Sequence, residues 1–444
     1  MTTRTMRMAL TVALGALAVT GCNFDIGNPN SPDPIGNNPS RARVAASATG
    51  LLAGLRGYYP QYILLTSIIG RDGYRFDGSD PRFTSEALTG QLDAGGFIGV
   101  QQWPAPYRNI RTANELLKYV GTATTLSAEE ISATQGYTHT MMALDFLNIL
   151  VGHTQDSIPI DVGVDVSAPP APFVTQAVAY THVENLLDSA VTELQNGGTA
   201  FPFELSSGFT GFDTPTNFIK FNRALRARVD VYRQNWGQAL TDLTASFVDT
   251  LASLDVGVYN IYSTGSGEVN NTLNQATAEN FARPELRDSA QLQTGGVLLD
   301  RRFLTKTFSR TSQTTSGLTS DLGWARYPTP SSPIPIIRNE ELILIRAEAN
   351  IQLGNLGPAL DDINFIRVNS GGLPPLAAFA DQATAINAML VERRYSLVFE
   401  WGHRWIDMRR YGRLTPAPAN WIDRPGDLVY TTFPVPTDEV LARQ

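Results

Sequence analysis

The chain has a single cysteine in 444 residues, only four histidines, and charged side chains at 17% of positions. Each scarcity removes a class of chemistry. With one cysteine no internal disulfide forms and no cysteine-ligated metal site exists, so the fold must rest on its apolar core. His139, His153, His182 and His403 are scattered without paired ligand spacing, which argues against a zinc or non-haem iron centre. There is no basic block: 34 Lys and Arg stand against 42 Asp and Glu, a net charge of -8. The electrostatic footprint of a nucleic-acid binder is therefore missing. Also absent are a phosphate-cradling glycine loop of the Walker type and a nucleophile elbow. Nothing here points to a cofactor or to turnover.

What is present begins with a leader. Arg4 and Arg7 precede an apolar run over residues 8–19 that is too short to span a bilayer, the pattern of a secretion signal covering residues 1–21. The sequence Val19-Thr20-Gly21-Cys22 resembles a bacterial lipobox, in which the leader is cut and Cys22 is acylated. Several acyl chains, at about 0.8 kcal/mol per buried methylene, would anchor the protein stably. No later segment reaches about 18 uninterrupted apolar residues, so lipid is the expected membrane attachment. Residues 22–40 are rich in Asn, Pro, Gly and Asp and read as a flexible tether, and residues 41–444 as one domain whose 43% hydrophobic content supports a large core.

Helical periodicity dominates that domain. Residues 39–67 and 174–195 carry apolar stripes, and Ser127 with Glu130 forms a capping box that opens a third helix. Trp103, Tyr107, Ile110, Asn114 and Leu117 recur at intervals of four and three, one face of a helix with Asn114 as its polar member. A repeat shifted by 120 residues matches Arg226-Ala227 to Arg346-Ala347, Asn235 to Asn355, Gly237 to Gly357, Ala239-Leu240 to Ala359-Leu360 and Asp242 to Asp362. Small residues at the turn and at the start of the second helix are the tetratricopeptide pattern of paired helices. A shift of 120 is not a solenoid period, so the pairs must be embedded in a larger globule. Between residues 248 and 335 the helical pattern fails, and Asn, Thr, Ser and Gly dominate with aromatics interspersed. A segment of that kind is expected to be a long functional loop.

The C-terminal third organises the chain. Residues 333–413 hold the second repeat and a run in which Glu392, Arg393, Arg394, Glu400, Arg404, Asp407, Arg409 and Arg410 sit on an apolar background. Glu400 with Arg404 at i,i+4, and Arg404 with Asp407 at i,i+3, are expected to pair along one helix. Two carboxylates such as Glu392 and Glu400 suggest glycoside hydrolysis. However, each has an arginine within a turn, which keeps a carboxylate ionised and makes it a poor general acid. The run therefore reads as a structural ion-pair network, as do Arg338, Glu341, Glu348 and Asn364.

Binding is better supported than catalysis. Sugars present CH faces and hydroxyl rings, so a site for them needs flat aromatics beside Asn, Asp and Arg. Arg71, Asp72, Tyr74, Phe76 and Asp77 in a glycine-broken segment, with Tyr259, Tyr262 and Trp324 from the long loop, are the candidate ligand residues.

Taken in order, these motifs resemble the SusD/RagB family of outer-membrane nutrient-uptake lipoproteins. The resemblance rests on Cys22, on Trp103, Tyr107, Ile110 and Asn114, and on Arg338, Glu341, Leu344 and Ala347-Glu348-Ala349 followed by Ala359, Ile363-Asn364 and Arg367. It extends through Glu392-Arg393, Glu400, Gly402, Arg404, Asp407 and Arg409-Arg410 to Phe433-Pro434-Val435-Pro436 and Glu439. Asn339 departs from it, standing where members often have an aromatic. The resemblance implies an all-α fold with tetratricopeptide-like helix pairs and a loop-rich ligand face. It implies capture of oligosaccharides or peptides, no catalysis, and a TonB-dependent SusC/RagA-like transporter as partner at the outer membrane. Two other classes compete: a tetratricopeptide scaffold lipoprotein of envelope assembly, which needs neither the loop insert nor the C-terminal run, and a helical-barrel glycosidase or lyase, which needs an unpaired acid or a tyrosine–histidine pair.

Overall fold

The computed structural model describes residues 35–153, 158–163, 165, 167–415 and 422–444. The leader, Cys22 and most of the tether lie outside them. The first helix, α1 (Arg41–Ile69), starts at Ser40, whose side chain accepts from the Arg43 amide, and its last turns from Tyr58 onward are almost wholly buried. Helix α2 (Pro104–Val120) has proline in its first turn, where the missing N–H costs nothing. Helix α3 (Ala128–Gly152) opens with the expected capping box: Ser127 N donates to Glu130 Oε2 at 2.9 Å and Glu130 N to Ser127 Oγ at 3.2 Å. From Thr140 to its end α3 is buried on all sides, so it is the axis of the core. Helix α4 (Gln176–Gln195) approaches it closely at Gly136, where a Cβ would lie 2.6 Å from Leu194 Cγ.

Two helix pairs follow the repeat. The first is α5 (Pro215–Tyr232) with α6 (Trp236–Thr244), and the second α7 (Asn339–Gln352) with α8 (Leu356–Ile366). Their turns share the same backbone hydrogen bonds: Asn235 N donates to Asp230 O and Asn355 N to Asn350 O, both at 2.8 Å, and Asn235 O and Asn355 O then accept from Ala239 and Ala359. The residue before each Asn has a left-handed backbone, Gln234 at φ 63° and Gly354 at φ 80°. Ala347, Ile351, Ala359 and Ile363 pack with Ala385 and Met389 of α9 (Gln382–Leu397) into one apolar cluster. The helix-rich, tetratricopeptide-like architecture is as expected.

Two expectations are corrected. The segment at residues 248–335 is not simply loop: it contributes β2 (Gly257–Asn260), β3 (Asn280–Ala282), β4 (Thr307–Thr315) and β5 (Leu318–Trp324). With β1 (Gly73–Arg75) these make a four-stranded sheet of order β1-β3-β5-β4, while β2 pairs with β6 (Ile334–Arg338). The strands are short and Thr-, Ser- and Gly-rich, and β1 finds β3 about 200 residues downstream, so alternation gives little local signal. The second correction concerns the charged run, which is not one helix. Helix α9 ends at Leu397, α10 (His403–Arg410) begins after a turn, and Phe399, Trp401 and Gly402 all have positive φ. Glu400 lies in that turn, so its i,i+4 pairing with Arg404 is replaced by distant partners.

A candidate ligand cleft on the sheet

The residues of the C-terminal run converge on buried carboxylates. Arg338 donates to Glu400 at 3.0 and 3.2 Å and also grips Glu340, and Arg326 reaches Glu400 at 2.9 Å. Arg228 holds Glu341 through both oxygens at 2.7 and 2.8 Å, with His403 3.6 Å away. Arg393 bridges Glu348 and Asp407 at 2.7 and 2.9 Å, and Arg410 joins the same two acids. Arg302 and Arg367 share Glu392, and Asn364 clamps the Leu376 backbone through both its N–H and C=O. Burial drives the Glu400 carboxyl upward, but the charges of Arg326, Arg338 and Lys306 outweigh it and hold it well below the usual range. By the same balance, burial against Arg338 and Lys306, Glu340 settles at about 2. Such groups cannot deliver a proton near neutral pH. Among the described residues no group of three or more His, Cys, Asp or Glu is arranged to hold a metal.

This network borders the sheet. Arg394, at the end of α9, clasps Glu285 and contacts Asp72 at 3.4 Å, while Arg404 Nε donates to Gly70 O at 3.1 Å and faces Asp72 at 3.6 Å. Above it opens a cleft of about 240 Å³ lined by Tyr74, Arg283, Pro284, Glu285, Gly317, Leu318, Thr319 and Asp423. Tyr74 OH donates to Asp423 Oδ1 at 2.8 Å, and Arg283 Nε reaches the same oxygen at 2.7 Å. Burial and then the Asp423 charge raise the Tyr74 phenol, so it stays protonated and able to donate. Burial pushes Glu285 up, but the hydrogen bonds and charge of Arg394, with Arg404 behind, hold it well below the carboxylate range. The cleft thus presents a phenol, a guanidinium, carboxylates and the exposed Thr319 hydroxyl, which pairs with Thr314 Oγ1 at 2.9 Å.

Both candidate segments meet in this sheet, but most of the candidate residues face inward. Tyr74 stacks on Phe76 at 5.4 Å and Phe76 on Phe281 at 4.8 Å, while Trp324 lies flat on Phe399 at 4.5 Å. Phe76, Trp324 and Tyr262 are 2–3% exposed, so they form packing layers rather than open platforms. Arg71 is also buried, held by Asp423 and by the Leu428 carbonyl. Asp72 is spent on Arg394 and Arg404, and Asp77 on Arg75 and Ser79. Tyr259 is half-buried on β2, away from this sheet, its hydroxyl donating to Asp255 O at 2.5 Å. Sequence reasoning missed Arg283, Glu285, Thr319 and Asp423. The only local signal was the charged Arg283-Pro284-Glu285 within a Ser-, Thr- and Asn-rich stretch.

The early aromatic helix builds a different wall. Trp103 packs on Tyr107 at 5.0 Å, Tyr107 OH donates to Pro159 O at 2.9 Å, and Asn114 Nδ2 donates to Val162 O at 2.8 Å. Together they fix residues 158–163, the start of a proline-rich segment, against α2.

A helix-pair globule with a strand-built polar cleft and a buried arginine–carboxylate network is the class of protein this fold defines. Residues 311–439 match the model of the SusD family. The fold is shared with a SusD superfamily protein from Bacteroides vulgatus ATCC 8482, at TM-score 0.70 and 14% identity over 92% of this chain and 98% of that one. It is shared too with a SusD-like protein from Bacteroides fragilis NCTC 9343, at 0.71 and 15% over 90% and 95% of the two chains, and with a laminarin-binding SusD-like protein, at 0.68 and 18% over 90% and 97%. No curated protein matches the chain in sequence. The chain thus resembles the SusD family in sequence over residues 311–439 and shares the fold of SusD-like proteins over nearly its whole length.

Proposed function

We propose that this protein is a lipid-anchored binding protein of the outer membrane that captures oligosaccharides and delivers them to a TonB-dependent SusC/RagA-like transporter. The observation that carries the reading is the cleft. It offers hydroxyl-matching donors and acceptors from Tyr74, Arg283, Thr319 and Asp423, while the neighbouring carboxylates are locked by guanidinium groups and unsuited to general acid work. A cleft of about 240 Å³ suits one or two rings of a longer chain rather than a free drug-sized molecule, for which 300 Å³ and upward is usual. The similarity in fold to a laminarin-binding protein makes laminarin the first glycan to try. No helix among the described residues is long and apolar enough to cross a membrane, and acylation at Cys22 would supply the attachment.

Two measurements test this. In affinity electrophoresis through laminarin, starch, xylan and mannan, the protein is expected to be retarded by at least one polymer, and Thr319→Ala with Asp423→Asn to lose about tenfold in affinity. Retardation by none, or retardation indifferent to those changes, removes the cleft from the reading. Co-purification from native outer membranes is expected to recover a large TonB-dependent barrel, in a manner that depends on Cys22. Recovery of envelope-assembly machinery in its place would favour the scaffold alternative.

A further inference from the structure

A second cavity, of about 560 Å³, lies between the N-terminal half of α2, the proline-rich segment and the C-terminal helical turn Thr437–Leu441. We propose that this cavity, walled by Tyr107, Arg111, Pro159, Asp161, Glu439 and Arg443, is a second saccharide site that takes a neutral, hydroxyl-rich stretch of the same polymer the sheet cleft binds. The inference rests on the oligosaccharide reading above and deepens it. Its volume is more than twice that of the cleft and falls inside the range usual for ligand pockets.

The walls are built in advance of any ligand. Tyr107 is fixed by the Trp103 ring on one side and by its hydroxyl's bond to Pro159 O on the other, and Asn114 pins Val162. Across the cavity Arg443 Nε donates to Ala171 O at 2.6 Å, its guanidinium lies 4.5 Å from the Phe173 ring centre, and Glu439 pairs with it at 2.8 Å. Three separate clamps therefore hold the cavity open, so little ordering remains to oppose binding. Pro159, Pro169, Pro170 and Pro172, with the Tyr107 ring, offer the CH-rich surfaces on which the apolar faces of pyranose rings pack.

Charge selects the kind of sugar. Three carboxylates, Asp161, Asp165 and Glu439, line the space against two guanidinium groups. Arg443 is engaged with Glu439, and Arg111 lies 3.6 Å from Glu115. Asp161 is exposed and has no ion pair among the described residues. Carboxylates accept from hydroxyls but repel uronates, so the site favours a neutral glycan and disfavours an acidic one. The chain from Asp423 to Arg443 runs from the cleft to this cavity, passing Gly152 and Ala94, to whose carbonyls the Phe433 and Thr437 amides donate. Two sites on one chain would hold a polymer by avidity where each alone holds it weakly.

The test titrates the mature protein with laminari-, malto-, cello-, xylo- and mannohexaose, with oligogalacturonate as the acidic control. Ala168→Trp puts a bulky ring on the cavity lining at an exposed residue that takes no part in the clamps, and Asp161→Ala removes an exposed acceptor from the same lining. The expected result is two hexasaccharides bound per wild-type chain, one per Ala168→Trp chain, and at least about a tenfold loss of polymer affinity for both variants. One hexasaccharide per wild-type chain, lost with the cleft substitutions and untouched by Ala168→Trp, overturns the second site and leaves the cleft standing. Binding of no hexasaccharide overturns both. Oligogalacturonate displaced by Ala168→Trp would overturn the charge argument.

Discussion

Two buried polar networks in this molecule treat a carboxylate in opposite ways. Around α7, α9 and α10 the acids face guanidinium groups, and Glu340 is held down at about 2. Between α1, α2 and α3, Asp145 is buried as deeply but has only neutral partners: Tyr58 OH at 2.5 Å and Asn109 Nδ2 at 2.6 Å, with Asn148 Nδ2 2.6 Å from the same hydroxyl. Burial raises Asp145 to about 7, because hydrogen bonds from neutral donors offset only part of the desolvation. The depth of burial is the same and the sign of the shift differs. For these two the difference lies in the partner, charged Arg338 and Lys306 against neutral Tyr58 and Asn109, whereas at Asp407 and Asp72 burial still outweighs the facing arginines.

The largest effect expected from breaking this contrast is at Arg338. Arg338→Met leaves Glu340 without its principal cation and Glu400 without one of its two arginines, and urea unfolding at pH 7 should show a loss of about 3–5 kcal/mol. A loss below about 1 kcal/mol would mean that Arg326 and Lys306 suffice. Next is Asp145. Its native pKa of about 7 lies above the ordinary 3.8, so the native state keeps a proton that the unfolded chain has released. Its contribution is therefore full below about pH 4 and lost as pH rises toward 7. Asp145→Asn removes this titration. The stability of wild type relative to the variant should fall by up to about 1.4 kcal/mol per pH unit across that window and level off above it. Glu340 has the opposite sign: its stabilisation is present above about 4.5 and is lost as pH falls toward 2.

The helix pairs provide the smaller tests. Their turns share backbone geometry but not side-chain pairing, since Asp362 receives Arg346 through both oxygens whereas Asp242 receives Arg223, three residues before the matching Arg226. The left-handed residue is glycine in one turn and glutamine in the other. Gly354→Gln should cost about 1–2 kcal/mol in thermal or urea melts, and Gln234→Gly should gain less than about 1 kcal/mol. If the exchange is neutral in both directions, backbone preference does not govern these turns.

These contrasts mark what was legible in the sequence. Helices with apolar stripes, the Ser127–Glu130 box and the repeat at 120 residues could be read because their information lies within one or two turns. The turn at Phe399–Gly402 could not, since its positive φ values are imposed by distant contacts: Arg338 on Glu400, Tyr327 OH on Phe399 O, and Thr66 against Gly402. The sheet was hidden for a similar reason, because β1 and β3 pair across about 200 residues of chain. The candidate segments come together in the sheet, but most of their aromatics pack inward. A pleated strand sends alternate residues to opposite faces, and here the rings of Phe76 and Trp324 went to the inside. Asp423 and Thr319 carried no pattern that would have marked them.

The Arg443 clamp also bears on how the protein should be handled. An affinity tag fused after Gln444 would emerge beside the 560 Å³ cavity and pull on a side chain that holds it open. If the leader is cut before Cys22 as proposed, an N-terminal tag would be lost with it. The exposed turn at Gly265 and Gly267, away from both cavities' linings, is the better place for a label, and protein tagged there would report on binding that a C-terminal fusion could abolish unnoticed.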